Sequence, residues 1–137
     1  MRKLKNSKGF TLMEMLIVVA IIAVLIAIAV PTFLANLNKA RVATDEANIR
    51  SGYASVVATV LTDDHEDTTG TKVYTLNKDG SVTAGGTAYS TLGNATAVYT
   101  DGKKPNIAGH DVTAWEKGET VTYTYNYADN TIEIKVE

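Results

Sequence analysis

Residues 8–31 read KGFTLMEMLIVVAIIAVLIAIAVP, an apolar run that holds one carboxylate, Glu14, close to its start. From Met15 to Val30 every side chain is Met, Leu, Ile, Val or Ala. Phe10 to Val30 is 21 residues, about 32 Å of helix at ~1.5 Å per residue. That matches the roughly 30 Å hydrocarbon thickness of a bilayer. A charge at the centre of such a helix costs about 2.5–3.5 kcal/mol even on lenient insertion scales. Close to an end, the side chain reaches back to the interface instead. Length alone does not explain why Glu14 is there.

The flanking charge gives the run a direction. Arg2, Lys3, Lys5 and Lys8 precede it with no acid among them, so the formal net charge of −2 combines +4 from residues 1–9 with −6 from the rest. Basic residues ahead of an apolar segment hold that end on the cytoplasmic side. The acidic remainder shows no basic face for nucleic acid. The chain has no cysteine, which excludes disulfides and thiolate metal sites, although small exported domains often use a disulfide staple.

Three readings fit this leader. A secretory signal would be cut after a small-x-small site; Ala27-Ile28-Ala29 fits and would release a chain starting at Val30, but Glu14 interrupts a segment that should be uniformly apolar. An uncut anchor fits the length. The third reading rests on the string Lys8-Gly9-Phe10-Thr11-Leu12-Met13-Glu14 followed by the unbroken apolar run and Pro31.

That string resembles the type IV pilins and the related pseudopilins. The resemblance covers the leader and the helix after it, about the first 60 residues. It implies that a prepilin peptidase cuts between Gly9 and Phe10 and that Phe10 is then N-methylated. It also implies that Glu14 pairs with the new N-terminal amine of a neighbouring subunit. Cleavage beside an apolar run creates a buried-prone amine, and pairing it with a carboxylate offsets the desolvation each suffers alone. Such a pair also fixes the register between otherwise smooth helices.

Beyond Pro31 the helical pattern resumes in TFLANLNKARVATDEANIRSGYASVVATVL. Leu37, Ala40, Ala43, Ala47, Arg50, Ala54, Val57 and Leu61 recur at three- and four-residue steps and predict the packed stripe, broken only by Arg50. Asn36, Lys39, Asp45, Glu46, Asn48 and Ser51 are placed on the solvent side. One helix from near Thr11 to near Leu61 would be roughly 75 Å long, with its lower half bare and its upper half against a domain. Pro31 removes one backbone bond and bends the helix where it leaves the membrane. The resemblance adds a role for it in assembly, as a place where the helix straightens or unwinds. Many family members carry glycine where this chain has Ala23, and alanine favours helix by ~1 kcal/mol.

From Thr62 the pattern turns to strands. NKDG at 77–80 and AGG at 84–86 are turn chemistry between Val/Tyr/Thr runs. The clearest hairpin is 119–136: Val121, Tyr123, Tyr125 and Tyr127 alternate with Thr122, Thr124 and Asn126. Ala128-Asp129-Asn130 then turns, and Ile132, Ile134 and Val136 alternate with Glu133 and Lys135. The expected fold class is α+β, a long N-terminal helix whose upper half packs on a small antiparallel sheet. The expected segments are a leader at 1–9, a membrane and filament-core helix at 10–31, its amphipathic continuation at 32–61 and a β-rich head at 62–137.

Little in the head suggests chemistry. DDHED at 63–67 places Asp63, Asp64, Glu66 and Asp67 around a histidine, an oxygen-rich cluster of the kind calcium takes. Adjacent side chains point apart, however, and the plainer reading is a solvated acidic turn that ends the helix, with no metal. His110 beside Asp111 is not a catalytic pair, and no nucleophile or phosphate-binding motif is present. Trp115 and Tyr53 read as core or subunit contacts. Tyr123, Tyr125 and Tyr127 read as core-facing, with an adhesive tyrosine surface as the rival.

The expectation is therefore a non-enzymatic, cofactor-free structural subunit, a major pilin. It would be held in the cytoplasmic membrane as a precursor, processed by prepilin peptidase and handled by pilus assembly machinery. It would end in an extracellular homo-oligomeric filament with roles in adhesion, surface motility or biofilm, and no direct contact with nucleic acid is expected. A pseudopilin of a secretion or DNA-uptake machine shares leader and helix and is one alternative. A monomeric anchored or secreted binding protein is another. The last five residues, Glu133 to Glu137, carry no wall-sorting signal, so a sortase-linked pilus is not expected.

Overall fold

The computed structural model describes residues 9–63 and 69–137. Its first element is a single helix, α1, Leu12–Thr62, of 51 residues. Thr11 and Glu14 start it reciprocally. The Thr11 amide donates to Glu14 Oε2 at 2.9 Å, and the Glu14 amide donates to Thr11 Oγ1 at 3.3 Å. This is a capping box, which satisfies two of the amide donors that every helix start leaves open. The helix runs unbroken past Pro31. Pro31 has no N–H to give, and one residue on, the Thr32 hydroxyl donates to the Ile28 carbonyl at 3.3 Å.

Backbone proximity divides the chain between Asn36 and Leu37. On the N-terminal side, the large apolar side chains from Phe10 to Leu34 are exposed. By length and composition α1 is apolar enough there to cross a membrane.

The unit Leu37–Glu137 holds the sheet and the core. Strands β1 (Thr71–Leu76), β2 (Val82–Thr83), β5 (Val121–Asn126) and β6 (Thr131–Val136) form an antiparallel sheet in the order β2-β1-β5-β6. Strands β3 (Asn106–Ile107) and β4 (His110–Asp111) make a separate two-stranded ribbon. The expected C-terminal hairpin is present, with Tyr123 opposite Ile134 and Tyr125 opposite Ile132. Its period of two buries Val121, Tyr123, Tyr125, Ile132, Ile134 and Val136 on one face. Asn130 closes the turn with φ 55°, a left-handed conformation that asparagine tolerates better than most residues. Tyr123 and Tyr125 therefore belong to the core, as expected, and Tyr127 is half-buried. The 77–80 turn also forms, the Gly80 amide donating to the Asn77 carbonyl at 3.0 Å.

The helix face is a correction. The residues α1 buries are Val42, Asp45, Ile49, Gly52, Val56 and Val60. Ala40, Ala43, Ala47, Arg50, Ala54 and Leu61 are exposed, and Leu37 and Val57 only half-buried. Both sets show three- and four-residue spacing, so periodicity does not choose between them. Side-chain size does: each buried CH₂ contributes about 0.8 kcal/mol, so a valine and isoleucine row outweighs an alanine row. Asp45 and Gly52 interrupt the winning row and disguise it.

Gly52 has a packing reason. A Cβ there would lie 2.3 Å from Tyr123 Oη and 2.9 Å from Leu76 Cδ1. The tyrosine ring passes over the helix at this point, and its hydroxyl donates to the Ile49 carbonyl at 2.7 Å. Burial pushes that hydroxyl's pKa well above its ordinary value. Gly52→Ala adds helix propensity of ~1 kcal/mol, but overpacking costs about 1–3 kcal/mol and here the obstacle is a held ring. The expected outcome is a lower midpoint in thermal unfolding of the full chain in detergent; an unchanged or higher midpoint would show that the ring can shift.

Candidate assembly site

The residues singled out at the N-terminus are held in the open. Phe10 is 81% exposed, and a Cβ on Gly9 would meet nothing within 4 Å. Glycine is thus not required there by packing among the described residues. Glu14 is exposed and bonded to its own Thr11 through Oε2. Among the described residues it has no ion-pair partner, the two ion pairs being Lys72–Asp63 and Lys135–Glu137. Its position in the first turn also suits a carboxylate, since that end of the helix carries partial positive charge.

A second carboxylate on α1 is treated in the opposite way. Asp45, placed on the solvent side by its sequence neighbours, is fully buried. Oδ1 accepts from the Tyr89 hydroxyl at 2.5 Å and from the Leu92 amide at 2.9 Å. Oδ2 accepts from the Gly93 amide at 2.8 Å and from the Trp115 indole N–H at 3.3 Å. Four neutral donors stand in for water around it, which is the condition for burying a charge without a counter-ion. Gly93 makes this approach possible, because a Cβ there would lie 2.6 Å from the Val42 amide nitrogen.

The same polar side of the helix binds the rest of segment 89–99. Asn38 and Asn94 exchange two bonds, Nδ2 to the Asn94 carbonyl at 2.9 Å and the Asn94 amide to Asn38 Oδ1 at 2.8 Å. Asn48 Nδ2 donates to the Tyr89 hydroxyl at 2.9 Å, and the Tyr99 hydroxyl donates to Glu46. Asp45 and Asn48 thus pack against the head, while Lys39 and Ser51 are exposed as expected. Burial first and Asp45 second push the Tyr89 pKa up to about 12. Its bond to Glu46, and then burial, push Tyr99 to about 12.

The other candidates do not assemble into a reactive centre. Asp64, Glu66 and Asp67 lie outside the described residues. Asp63 Oδ2 pairs with Lys72 at 2.7 Å. His110 Nε2 lies 3.2 Å from Tyr53 Oη, whereas Asp111 accepts from Asn106 at 2.8 Å, so the two sequence neighbours are engaged separately. Trp115 is fully buried. Among the described residues no three potential metal ligands cluster.

A long N-terminal helix with a small antiparallel sheet is the α+β arrangement of the type IV pilin fold. Residues 4–30 match the prokaryotic N-terminal methylation motif. Over 58 residues the chain is 48% identical to the type IV narrow pilus major component PilA5 of Thermus thermophilus, covering 40% of this chain and 48% of that one. Over 37 residues it is 54% identical to the type IV wide pilus major component PilA4 of the same organism, covering 27% of this chain and 28% of that one. The chain thus spans about half the length of the first relative and about a quarter of the second. No solved structure matches it. Motif and likeness together support a type IV pilin.

Two outcomes follow for the head. Asp45→Asn leaves donors facing an amide that is itself half donor, and unsatisfied buried groups cost ~1–3 kcal/mol each. The variant should unfold at distinctly lower denaturant than the wild type, with protease cuts appearing first near 89–93. A tyrosine whose folded pKa exceeds its unfolded value contributes stability below the unfolded pKa and loses it as pH rises through the folded one. With Tyr89 and Tyr99 raised from 10.0 to about 12, stability should hold below pH 10 and fall from there to about pH 12. Tyrosinate absorbance should then show a late-titrating fraction that disappears on unfolding.

Proposed function

We propose that this chain is the structural subunit of a type IV pilus, a major pilin that polymerises through its N-terminal helix. The observation that carries the reading is the N-terminal methylation motif over residues 4–30, set on a helix whose first half is apolar and exposed. On this reading residues 1–9 are a leader, 10–31 a membrane and then filament-core helix, 32–61 its continuation and 62–137 the head. Prepilin peptidase cuts between Gly9 and Phe10, both of them exposed. Phe10 is then methylated. The subunit waits in the cytoplasmic membrane for the assembly machinery and ends on the cell surface, with no catalytic activity of its own. Adhesion, surface motility or biofilm formation are the roles such a filament serves.

In the single chain Glu14 caps its own helix. On assembly it would exchange part of that bonding for the Phe10 amine of a neighbour, a charge-assisted bond roughly twice as strong as a neutral one. Pairing offsets the desolvation of both groups. Cap and counter-ion are separable, because glutamine also closes a capping box but carries no charge.

Glu14→Gln should leave membrane insertion and processing intact while filaments sheared from cells fall at least about tenfold, the scale expected when one partner of a desolvated pair is lost. Filaments at wild-type level in this variant would reduce Glu14 to a cap. Mass spectrometry of the mature subunit should find methylated Phe10 at its N-terminus; an N-terminus at Val30 or an intact Met1 would refute the subunit reading altogether.

A further inference from the structure

The sheet order β2-β1-β5-β6 leaves two edges. β2 is two residues long and offers little backbone, but β6 runs for six, Thr131–Val136. Just beyond it, Thr120 and Glu137 exchange both main-chain bonds, at 2.7 and 3.0 Å. Pairs of that kind alternate along an antiparallel ladder with pairs that exchange none. In the register of β5 on β6, the amides and carbonyls of Thr131, Glu133 and Lys135 therefore turn towards β5. Those of Ile132, Ile134 and Val136 turn away, and among the described residues no main-chain bond from another segment reaches them. A polar cleft of about 280 Å³ separates Glu133, Ile134, Lys135 and Val136 from His110 and Thr113. An edge left open in this way is a template for another strand.

The strand is complementary to its own reverse. With TIEIKVE, residues 131–137, turned about Ile134, Ile134 faces Ile134, Ile132 faces Val136 and Glu133 faces Lys135. Each outward-turned residue then meets another, giving about six main-chain bonds, two for each bonded pair. Glu133 and Lys135 are exposed and fall at the non-bonded positions, where Cα atoms approach to about 4.5 Å and opposite charges directly across stabilise the pair. Charges on an edge strand ordinarily keep other strands away. Charges of one sign would repel a reversed copy, whereas this alternation attracts it. Lys135 already holds Glu137 of its own chain at 2.6 Å, an exposed pair of the kind that contributes little and is easily exchanged.

We propose that β6 pairs antiparallel with β6 of a second copy, about a two-fold axis at Ile134, and joins two four-stranded sheets into one. Each head carries 12 acids and 6 bases over residues 62–137, a net −6, so two heads repel at a distance. At about 0.15 M salt that repulsion is screened beyond roughly 8 Å, while the strand bonds act at contact. The two-fold axis also reverses direction. β5 runs in the same sense as α1, because Tyr123 meets Ile49 while Tyr125 borders a hollow with Val57 and Val60. The helices of the two heads therefore point opposite ways, and the contact is not one that repeats along a polymer of like-directed subunits. On the subunit reading it joins two filaments side by side; the pairing itself rests on the head alone.

Because the chain has no cysteine, introduced ones report the register. Full-length Glu133→Cys and Lys135→Cys chains, in detergent micelles, are mixed and mildly oxidised. Positions 133 and 135 then face each other within disulfide range, so the mixture should give about tenfold more dimer than either variant alone. Equal yields, as helix contacts alone would produce, or no dimer at all, overturn the proposal. In cysteine-free chains Glu133→Lys should lower the dimer fraction about fivefold or more, and adding Lys135→Glu should restore it to within about twofold. Failure of that rescue is equally fatal. Dilution to about 0.01 M salt, where screening reaches only beyond roughly 30 Å, should loosen the wild-type pair; a pair that tightens instead would contradict it. The amides of Ile132, Ile134 and Val136 should exchange freely in the monomer and slowly in the dimer, and slow exchange in the monomer would show that the chain covers its own edge. If the mature chain lacks methylated Phe10, the subunit reading fails by itself, and the 133–135 junction still decides the pairing.

Discussion

A carboxylate cannot be buried in a protein of this size unless something replaces the water it gives up. At Asp45 the replacement comes from a tyrosine hydroxyl, two consecutive loop amides and an indole N–H. The head's irregular segment follows from that requirement. Residues 89–93 come down on the helix because two of the donors are their own backbone. Gly93 is there because any side chain would strike the Val42 backbone. Trp115 is drawn inward with its polar edge satisfied, as a buried indole requires. The helix face that looks solvated in sequence becomes a polar seam beside the valine and isoleucine row.

The two carboxylates of α1 illustrate the same rule under opposite conditions. Asp45 is solvated by its own chain and has nothing left to offer. Glu14 is exposed, its Oε2 taken by a neighbouring amide, and no cation lies beside it among the described residues. A side chain in that state combines local order with a charge that no described group neutralises. Exposed apolar residues from Phe10 to Leu34 pose a comparable demand, since apolar surface of that extent calls for a bilayer or other helices around it.

Much of the architecture was legible in the sequence because it is written locally. The apolar run, the Pro31 position and the alternation of Tyr123, Tyr125, Ile132 and Ile134 each declare themselves within a few residues. The cap is equally local, as Thr11-x-x-Glu14, although a lone acid in an apolar run reads first as a charge and only then as a cap. The packed side of the helix was not legible. Alanines and valines share one period, and the row that is buried contains an aspartate and a glycine whose partners lie far along the chain. Asp45 meets Tyr89, Leu92, Gly93 and Trp115 across separations of 44 to 70 residues. Nothing near Asp45 in sequence announces a cradle assembled from that distance. Of the candidate site, the string from Gly9 to Glu14 is readable by its spacing.

Those separations also bear on timing. The Tyr123 hydroxyl closes on the Ile49 carbonyl 74 residues earlier, and the strand that supplies it lies near the chain's end. A polypeptide emerging amino end first shows the row from Val42 to Val60 long before Trp115 and Tyr123 arrive to cover it. Contacts so distant are slow to form, because loop closure precedes any gain. During that interval water must supply what Tyr89, Leu92, Gly93 and Trp115 later donate to Asp45. The order of the chain thus leaves the polar seam among the last parts of the head to close.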